Sequence, residues 1–200
     1  MSPRKYDMGR RAAAVEETKR RIVQATLELH RSQGILATSW EDIAKRADVA
    51  PATVYRHFPT LDELLPACGA LSMQQLQLPT VEEAKAALSQ ARGRRARLRR
   101  MVELVFGIYE RGPEILAEIH RSRGRLAVVE ADHRKIEERL DAIVAAALAP
   151  LRLADVDARM VRALVDFDAW HALSARGIDG EDAVAAMAEL LDAWLARRRR

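Results

Sequence analysis

With one cysteine, Cys68, among 200 residues, the chain has no intrachain disulfide to form. No Cys-x-x-Cys pair or Cys/His cluster suggests a structural zinc site, and a reducing, cytoplasmic setting is expected. Nine glycines and seven prolines are too few for a collagen-like or low-complexity chain. Aromatic residues at 4% disfavour an aromatic-rich β-sandwich. The longest nearly uncharged apolar run, Ala142 to Leu151, falls far short of the ~20 residues a spanning helix needs, so no membrane span is expected. The basic stretch Met1 to Arg11 is followed by charged Glu16 to Arg21 instead of an apolar core, so no secretory signal is expected either. Catalysis finds no foothold. His30, His57, His120, His133 and His171 are scattered, and His-x-x-x-His, Gly-x-Ser-x-Gly and phosphate-cradling glycine loops are all missing. The chain is expected not to be an enzyme and to need no cofactor or metal.

What is present is alanine, leucine, arginine and glutamate in helical patterns, with 49% hydrophobic and 31% charged residues. An all-α fold is expected. Through Thr60 there are 11 Lys+Arg and 7 Asp+Glu, a balance of +4, while the remaining 140 residues carry 22 of each and balance to zero. The basic excess therefore belongs to the first third of the chain. The arginines of Arg92 to Arg100 and of the Arg197 to Arg200 tail read as solvated helix faces rather than nucleic-acid contacts.

From Glu16 to Gln33 the apolar spacing of Ile22, Val23, Leu27 and Leu29 predicts a helix, ended at Gly34 by a left-handed cap. Thr38 or Ser39 can cap the next helix, with Glu41 or Asp42 closing a capping box. Ile43, Ala44 and Ala47 form its inner face, and it ends near Asp48. Ala50-Pro51 starts a short third helix through His57, since proline at the first helical position costs no hydrogen bond. Pro59 stops that helix, and Thr60 with Glu63 caps a fourth carrying Leu61, Leu64 and Leu65. Pro66 and Gly69 inside the fourth helix predict a kink. Helices are also expected from Thr80, over Arg94 to Arg111, from Pro113 to about Gly124 and over Leu126 to Leu148. A final pair is expected over Asp155 to Arg176 and Asp179 to Leu195.

Ile43 to Val54 is the most informative stretch. A helix-turn-helix needs a small residue where its helices cross, a turn residue that tolerates positive φ, and an apolar anchor on the second helix. Ala44, Asp48 and Val54 fill those roles, with Val49 beneath the turn. Asp48 suits the turn less well than glycine but tolerates the left-handed region. Pro51, Ala52, Thr53 and Arg56 then lie on or near the outward face of the third helix. Small residues there permit close groove approach, and Thr53 offers a hydroxyl and a methyl.

Ile22 to Leu65, with Gly34, Thr38-Ser39, Ile43-Ala44, Thr53-Val54-Tyr55-Arg56-His57-Phe58-Pro59 and Glu63-Leu64-Leu65 in order, resembles the N-terminal domain of the tetracycline-repressor-like (TetR/AcrR) regulators. The resemblance covers about a quarter of the chain. It implies an N-terminal three-helix DNA-binding domain over residues 1–60 and a helical effector-binding and dimerisation domain over residues 61–200. It also implies that Thr38, Tyr55 and His57 hold phosphates while Pro51, Ala52, Thr53 and Arg56 face bases. With Ser39 these form the candidate DNA-binding set. Phenol and imidazole can donate to phosphate, and a helix start is an anion site. Three positions depart from the family: Leu61 replaces a phosphate-binding lysine, Asp48 the turn glycine, and Ala50 the polar cap of the third helix. Trp40 is expected to pack on the first helix or flank a phosphate, His30 to be half-buried, and Cys68 to be a small buried residue.

The resemblance further implies a homodimer on a quasi-palindromic duplex operator, responding to a small apolar or amphipathic effector. Candidate effector contacts are Met101, Phe106, Tyr109, His120, Arg123, Met160, Phe167, Trp170 and His171. Dimerisation is expected through Val161, Leu164, Val165 and Ala169 on one helix and Val184, Met187, Leu190, Leu191 and Trp194 on the other. Two other readings stand beside this one: a helical interaction protein that keeps the helix-turn-helix as scaffold, and a nonspecific DNA-binding protein.

Overall fold

The computed structural model of the chain describes residues 8–198; residues 1–7 of the basic arm and residues 199–200 of the arginine tail lie outside the described residues. The described residues are helical throughout, with no strand among them. Helices α1 (Met8–Gln33), α2 (Trp40–Ala47), α3 (Pro51–His57) and α4 (Leu61–Leu76) come first. They are followed by α5 (Val81–Ser89), α6 (Gly93–Arg111), α7 (Pro113–Ser122) and α8 (Ala127–Leu148). The chain ends with α9 (Asp155–Leu164), α10 (Phe167–Ser174) and α11 (Gly180–Arg198). It divides into two compact units, Met1–Ser72 and Met73–Arg200. The division falls inside α4 and not at residue 60, because Leu64 and Cys68 belong to the first core, with Ala67 and Leu71 packed against it.

In the first unit, Ile22, Val23, Ala25, Leu27 and Leu29 of α1 meet Ile43, Ala44 and Ala47 of α2, Val54 and Phe58. Thr26 is fully buried and tolerated because its hydroxyl donates to the Ile22 carbonyl at 2.8 Å. His30 is buried, more deeply than its sequence setting suggested. Gly34 does stop α1, but at φ 92° and ψ 156°, outside the left-handed helical region. That backbone is essentially open to glycine alone, and it turns the chain into a short 3₁₀ turn, Ile35–Ala37, that the sequence did not announce. Burial pushes the Cys68 thiol up to about 12, so it stays protonated and inert.

The second unit is built round α6. Leu98, Met101, Val102, Val105, Phe106, Ile108 and Tyr109 are almost fully buried, the signature of a helix surrounded by others. The arginines at the start of α6 are structural and not merely solvated. Arg94 pairs with Asp192 at 2.6 Å and Arg95 with Glu189 at 3.0 Å, and Arg99 reaches Glu181, so α6 is tied along α11. Arg97 donates to the carbonyls of Ala146 (2.8 Å), Ala147 (2.8 Å) and Leu88 (3.0 Å). It thereby closes the open C-terminal ends of α8 and α5 with one fork.

Two expectations for the C-terminal helices are corrected. The helix expected over Asp155 to Arg176 is broken: α9 stops at Leu164, and the Asp166 carboxylate accepts the Phe167 N–H at 2.8 Å to start α10. The Val165 carbonyl freed by the break accepts the Tyr109 hydroxyl at 3.0 Å. Of the apolar residues assigned to a dimer face, Val161, Val165, Val184, Met187 and Leu191 are buried within the protomer. The large apolar side chains left exposed on these helices are Val156, Met160 and Leu190.

Arg97→Met keeps the side chain's bulk and removes all three donors. The loss is expected to cost about 3 kcal/mol and to lower the thermal midpoint by roughly 6–12 °C; Arg97→Lys, which keeps charge but not the fork, should fall between.

Candidate nucleic-acid interface

The surface begins with the start of α2. Ser39, not Thr38, is the N-cap: its hydroxyl accepts the Asp42 N–H at 3.1 Å and donates to the Asp42 carboxylate at 2.7 Å. The Ser39 N–H closes the box onto the same carboxylate at 3.3 Å. These hydrogen bonds hold the Asp42 carboxyl below the usual carboxylate range. Thr38 donates its hydroxyl proton to the Gly34 carbonyl at 2.8 Å, which fixes the turn. A phosphate at this end would meet the first-turn amides of Trp40 and Glu41, which have no partner inside a helix.

The turn between α2 and α3 is set by Asp48, at φ 53° and ψ 54°. The Val49 N–H folds back to the Ala44 carbonyl at 3.0 Å, giving a Schellman-type end without glycine. Arg21 of α1 supports this conformation. Its guanidinium donates to the carbonyls of Ala47 and, at 2.8 Å, Asp48, and lies 3.8 Å from the Asp48 carboxylate. A cation at the negative end of α2 satisfies carbonyls that the helix leaves open. Arg46 to Glu28, at 3.1 Å, is a second tie between α2 and α1.

Ala50 caps α3 with backbone alone and Pro51 occupies its first turn. Val54 is fully buried and Phe58 follows it into the core. Those anchors turn Pro51, Ala52, Tyr55 and Arg56 outward, with Thr53 and His57 half-buried beside them. The Tyr55 ring lies 5.2 Å from that of Trp40, so Trp40 braces Tyr55 and joins the start of α2 to the face of α3. Burial, then the nearby charges of Arg56 and Lys19, lower the His57 pKa below its ordinary 6.5. With no described acid paired to it, the free imidazole favours the neutral form at pH 7. Leu61, where a lysine was expected, is exposed and is followed by Asp62 and Glu63.

In the second unit the candidate effector residues separate. Phe106, Tyr109, His120, Phe167, Trp170 and His171 join one ring cluster, with His120 stacked on Phe167 at 4.8 Å and Tyr109 edge-on to Phe167 at 5.6 Å. The sequence reading missed its seventh member, His133, 5.2 Å from His120; its spacing from Ile136 and Leu140 is the signal that it faces inward. The buried Nε2 of His133 and Nε1 of Trp170 have no hydrogen-bond partner. Met101 is buried elsewhere along α6, while Arg123 and Met160 are exposed.

Residues 22–68, which contain α2, its turn and α3, match the family model for bacterial regulatory proteins of the tetR family. The match lies wholly within the N-terminal unit. The HTH-type transcriptional regulator SrpR of Pseudomonas putida is 39% identical over 67 residues, 34% of this chain and 32% of that protein. The HTH-type transcriptional repressor KstR of Rhodococcus jostii is 38% identical over 63 residues, 32% of this chain and 30% of that one. The matched stretch is about a third of the length of each relative. The likeness of fold runs further. HlyIIR, a hemolysin II transcriptional regulator, aligns over 88% of this chain and 97% of its own with a TM-score of 0.61 at 19% identity. A transcriptional regulator from Rhodococcus aligns over 90% and 96% with a TM-score of 0.60 at 20% identity. The stretch that matches the family model thus sits in a chain whose fold resembles those of these regulators over about nine-tenths of its length.

Arg21→Met should lower headpiece stability by about 2 kcal/mol, because the carbonyls at the end of α2 lose a charged donor. Asp48→Gly suits the positive φ and should leave the thermal midpoint nearly unchanged, whereas β-branched Asp48→Val should lower it clearly. Thermal unfolding followed by circular dichroism reads all three.

Proposed function

We propose that this chain is a ligand-responsive transcriptional regulator, a repressor that binds a quasi-palindromic operator as a homodimer and leaves it when a small apolar or amphipathic effector binds. The reading makes it a cytoplasmic DNA-binding protein and not an enzyme. It rests above all on α3, where Pro51, Ala52, Tyr55 and Arg56 are held outward by buried Val54 and by the clamped turn at Asp48. The family match over residues 22–68 supports it. No described helix is long and apolar enough to cross a membrane.

In this reading Pro51, Ala52 and Thr53 approach base edges, Thr53 through its hydroxyl or methyl. Tyr55, His57 and the α2 amides next to Ser39 meet phosphates, Thr38 joins them by turning its hydroxyl away from the Gly34 carbonyl, and Arg56 supplies the mobile charge. Dimerisation uses the exposed Val156, Met160 and Leu190 with half-buried Leu164 and Trp194. It sets two copies of α3 about 34–36 Å apart, one turn of duplex. The ring cluster about Phe167 supplies the effector site. The Trp170 N–H, which has no hydrogen-bond partner among the described residues, and the His133 Nε2, whose nearest acid is the Glu137 carboxylate at 3.9 Å, favour an effector that carries hydrogen-bonding groups as well as apolar surface.

The direct test titrates the intact protein onto duplexes from the region upstream of its own coding sequence, by fluorescence anisotropy against random duplex. Saturable binding that random DNA does not displace is expected. Thr53→Ala and Tyr55→Ala should each weaken it by about tenfold or more. Arg56→Ala should flatten the slope of log K against log salt by about 2 for a dimer, one phosphate contact per subunit. Equal affinity for every sequence, or wild-type binding by a folded Thr53/Tyr55 double alanine variant, would overturn the reading.

His57 adds a pH signature. It is neutral when free because its pKa is lowered, and a phosphate beside it favours the imidazolium, so binding takes up a proton. Affinity should therefore rise as pH falls below about 7 and level off under the free-state pKa. His57→Gln should remove that dependence.

A further inference from the structure

We infer that the cleft between α8 and α9 is a binding site for a small anionic amphiphile, a carboxylate or phosphate head on an aliphatic body, held by Arg152 and Arg159. The cleft encloses about 480 Å³, within the roughly 300–1,000 Å³ of small-molecule sites. Its apolar wall comes from Val144, Ala145, Leu148, Leu153 and Ala158. None of the ring-cluster residues about Phe167 lines it, so this site is separate from the effector site of the proposed function.

The charge in the cleft is asymmetric. Arg162 is already committed, to Glu137 at 2.6 Å, Asp141 at 2.7 Å and Asp166 at 3.3 Å. Asp141, the one acid on the lining, is thereby neutralised. Arg152 and Arg159 form no ion pair or hydrogen bond with any described residue, so two positive charges stand uncompensated over apolar wall. Arg94 and Arg95 of α6, by contrast, are each paired with an acid of α11. Arg152 also occupies left-handed backbone, φ 49° and ψ 50°, where glycine would sit without strain. An arginine placed there at that expense, paired with no described acid, is explained by an anion that it holds. An aliphatic body is the complement of the alanine, valine and leucine wall, and a head of one negative charge or more is the complement of the two guanidinium groups.

Calorimetric titration of the intact protein with decanoate and with decyl phosphate tests this independently of DNA. Saturable one-to-one binding of at least one of them is expected, with decanol, acetate and inorganic phosphate each at least about tenfold weaker, a difference of about 1.4 kcal/mol. Arg152→Gly with Arg159→Gln should weaken it by about tenfold or more while the circular dichroism spectrum and thermal midpoint are kept. Arg152→Gly alone, which suits the backbone, decides should the double variant not fold. Ala158→Leu, which fills part of the wall without touching either arginine, should weaken binding as well. No saturable binding of either amphiphile, binding unaltered by the folded variants, or equal binding of decanol would overturn the proposal. So would a ligand-free change in sedimentation on losing the two arginines, because the cleft would then be covered by a second copy of the chain.

Discussion

The contact between Arg21 and the end of α2 governs what the first unit can present. A recognition surface on α3 exists only if α3 leaves α2 in one direction, and that direction is set by a single residue, Asp48, with positive φ. Glycine would enter that region without strain, at the cost of a looser turn in the unfolded and folded chain alike. This chain uses aspartate and recovers the cost through Arg21, whose guanidinium takes the Ala47 and Asp48 carbonyls and lies near the Asp48 carboxylate. The exit of α3 is therefore fixed from α1, across the small core, rather than by the turn alone. Val54 and Phe58 then fix its rotation.

The second unit solves a related problem by the same means. Its helices end in open carbonyls that must be met, and arginines from neighbouring helices meet them: Arg97 at α8 and α5 and Arg111 at the Leu76 carbonyl of α4 at 2.8 Å, while Arg139 takes the loop carbonyl of Pro79 at 2.6 Å. Planar forks with several donors suit this work better than lysine. Much of the arginine content of the C-terminal part thus joins helices, while its net charge is zero because 22 acids balance its 22 Lys and Arg.

Local signals made the first unit legible. Gly34, the Ser39 capping box, the Ala44–Asp48–Val54 set and Pro51 each have a physical requirement confined to a few residues, so the order of α1 to α3 and the outward set on α3 follow from the string. What did not follow depends on partners distant in sequence. Arg21 reads as one more charged residue on an exposed face until α2 is folded against it. The break between α9 and α10 rests on Tyr109 taking the Val165 carbonyl, a bond across 56 positions, and on the Asp166 cap, so Asp155 to Arg176 reads as one helix. The α6 arginines suffer the same ambiguity, since a fork that seals another helix and a solvated side chain have the same spacing. The apolar stripes of α9 and α11 gave amphipathic faces correctly but not what covers them; α6 covers most of the stripe on α11, leaving Leu190 exposed.

The absence of lysine at position 61 has a physical counterpart in the rest of the headpiece. Leu61 heads α4, and the next residues, Asp62 and Glu63, are acids that the positive end of the helix favours. Glu41 and Asp42 do the same for α2, with the Asp42 carboxylate already seated on the Ser39 N–H. Both helix starts are stabilised from within the protein, which leaves them less positive potential to offer an external phosphate. Under the proposed function, attraction to a polyanion falls on Arg56, on Lys45, which has no ion pair with a described residue, on His57 once it takes up a proton, and on the neutral donor Tyr55. A neutral donor contributes orientation without releasing counterions, so binding in that reading would depend more on shape and hydrogen-bond geometry, and less on salt, than the overall charge of the surface suggests.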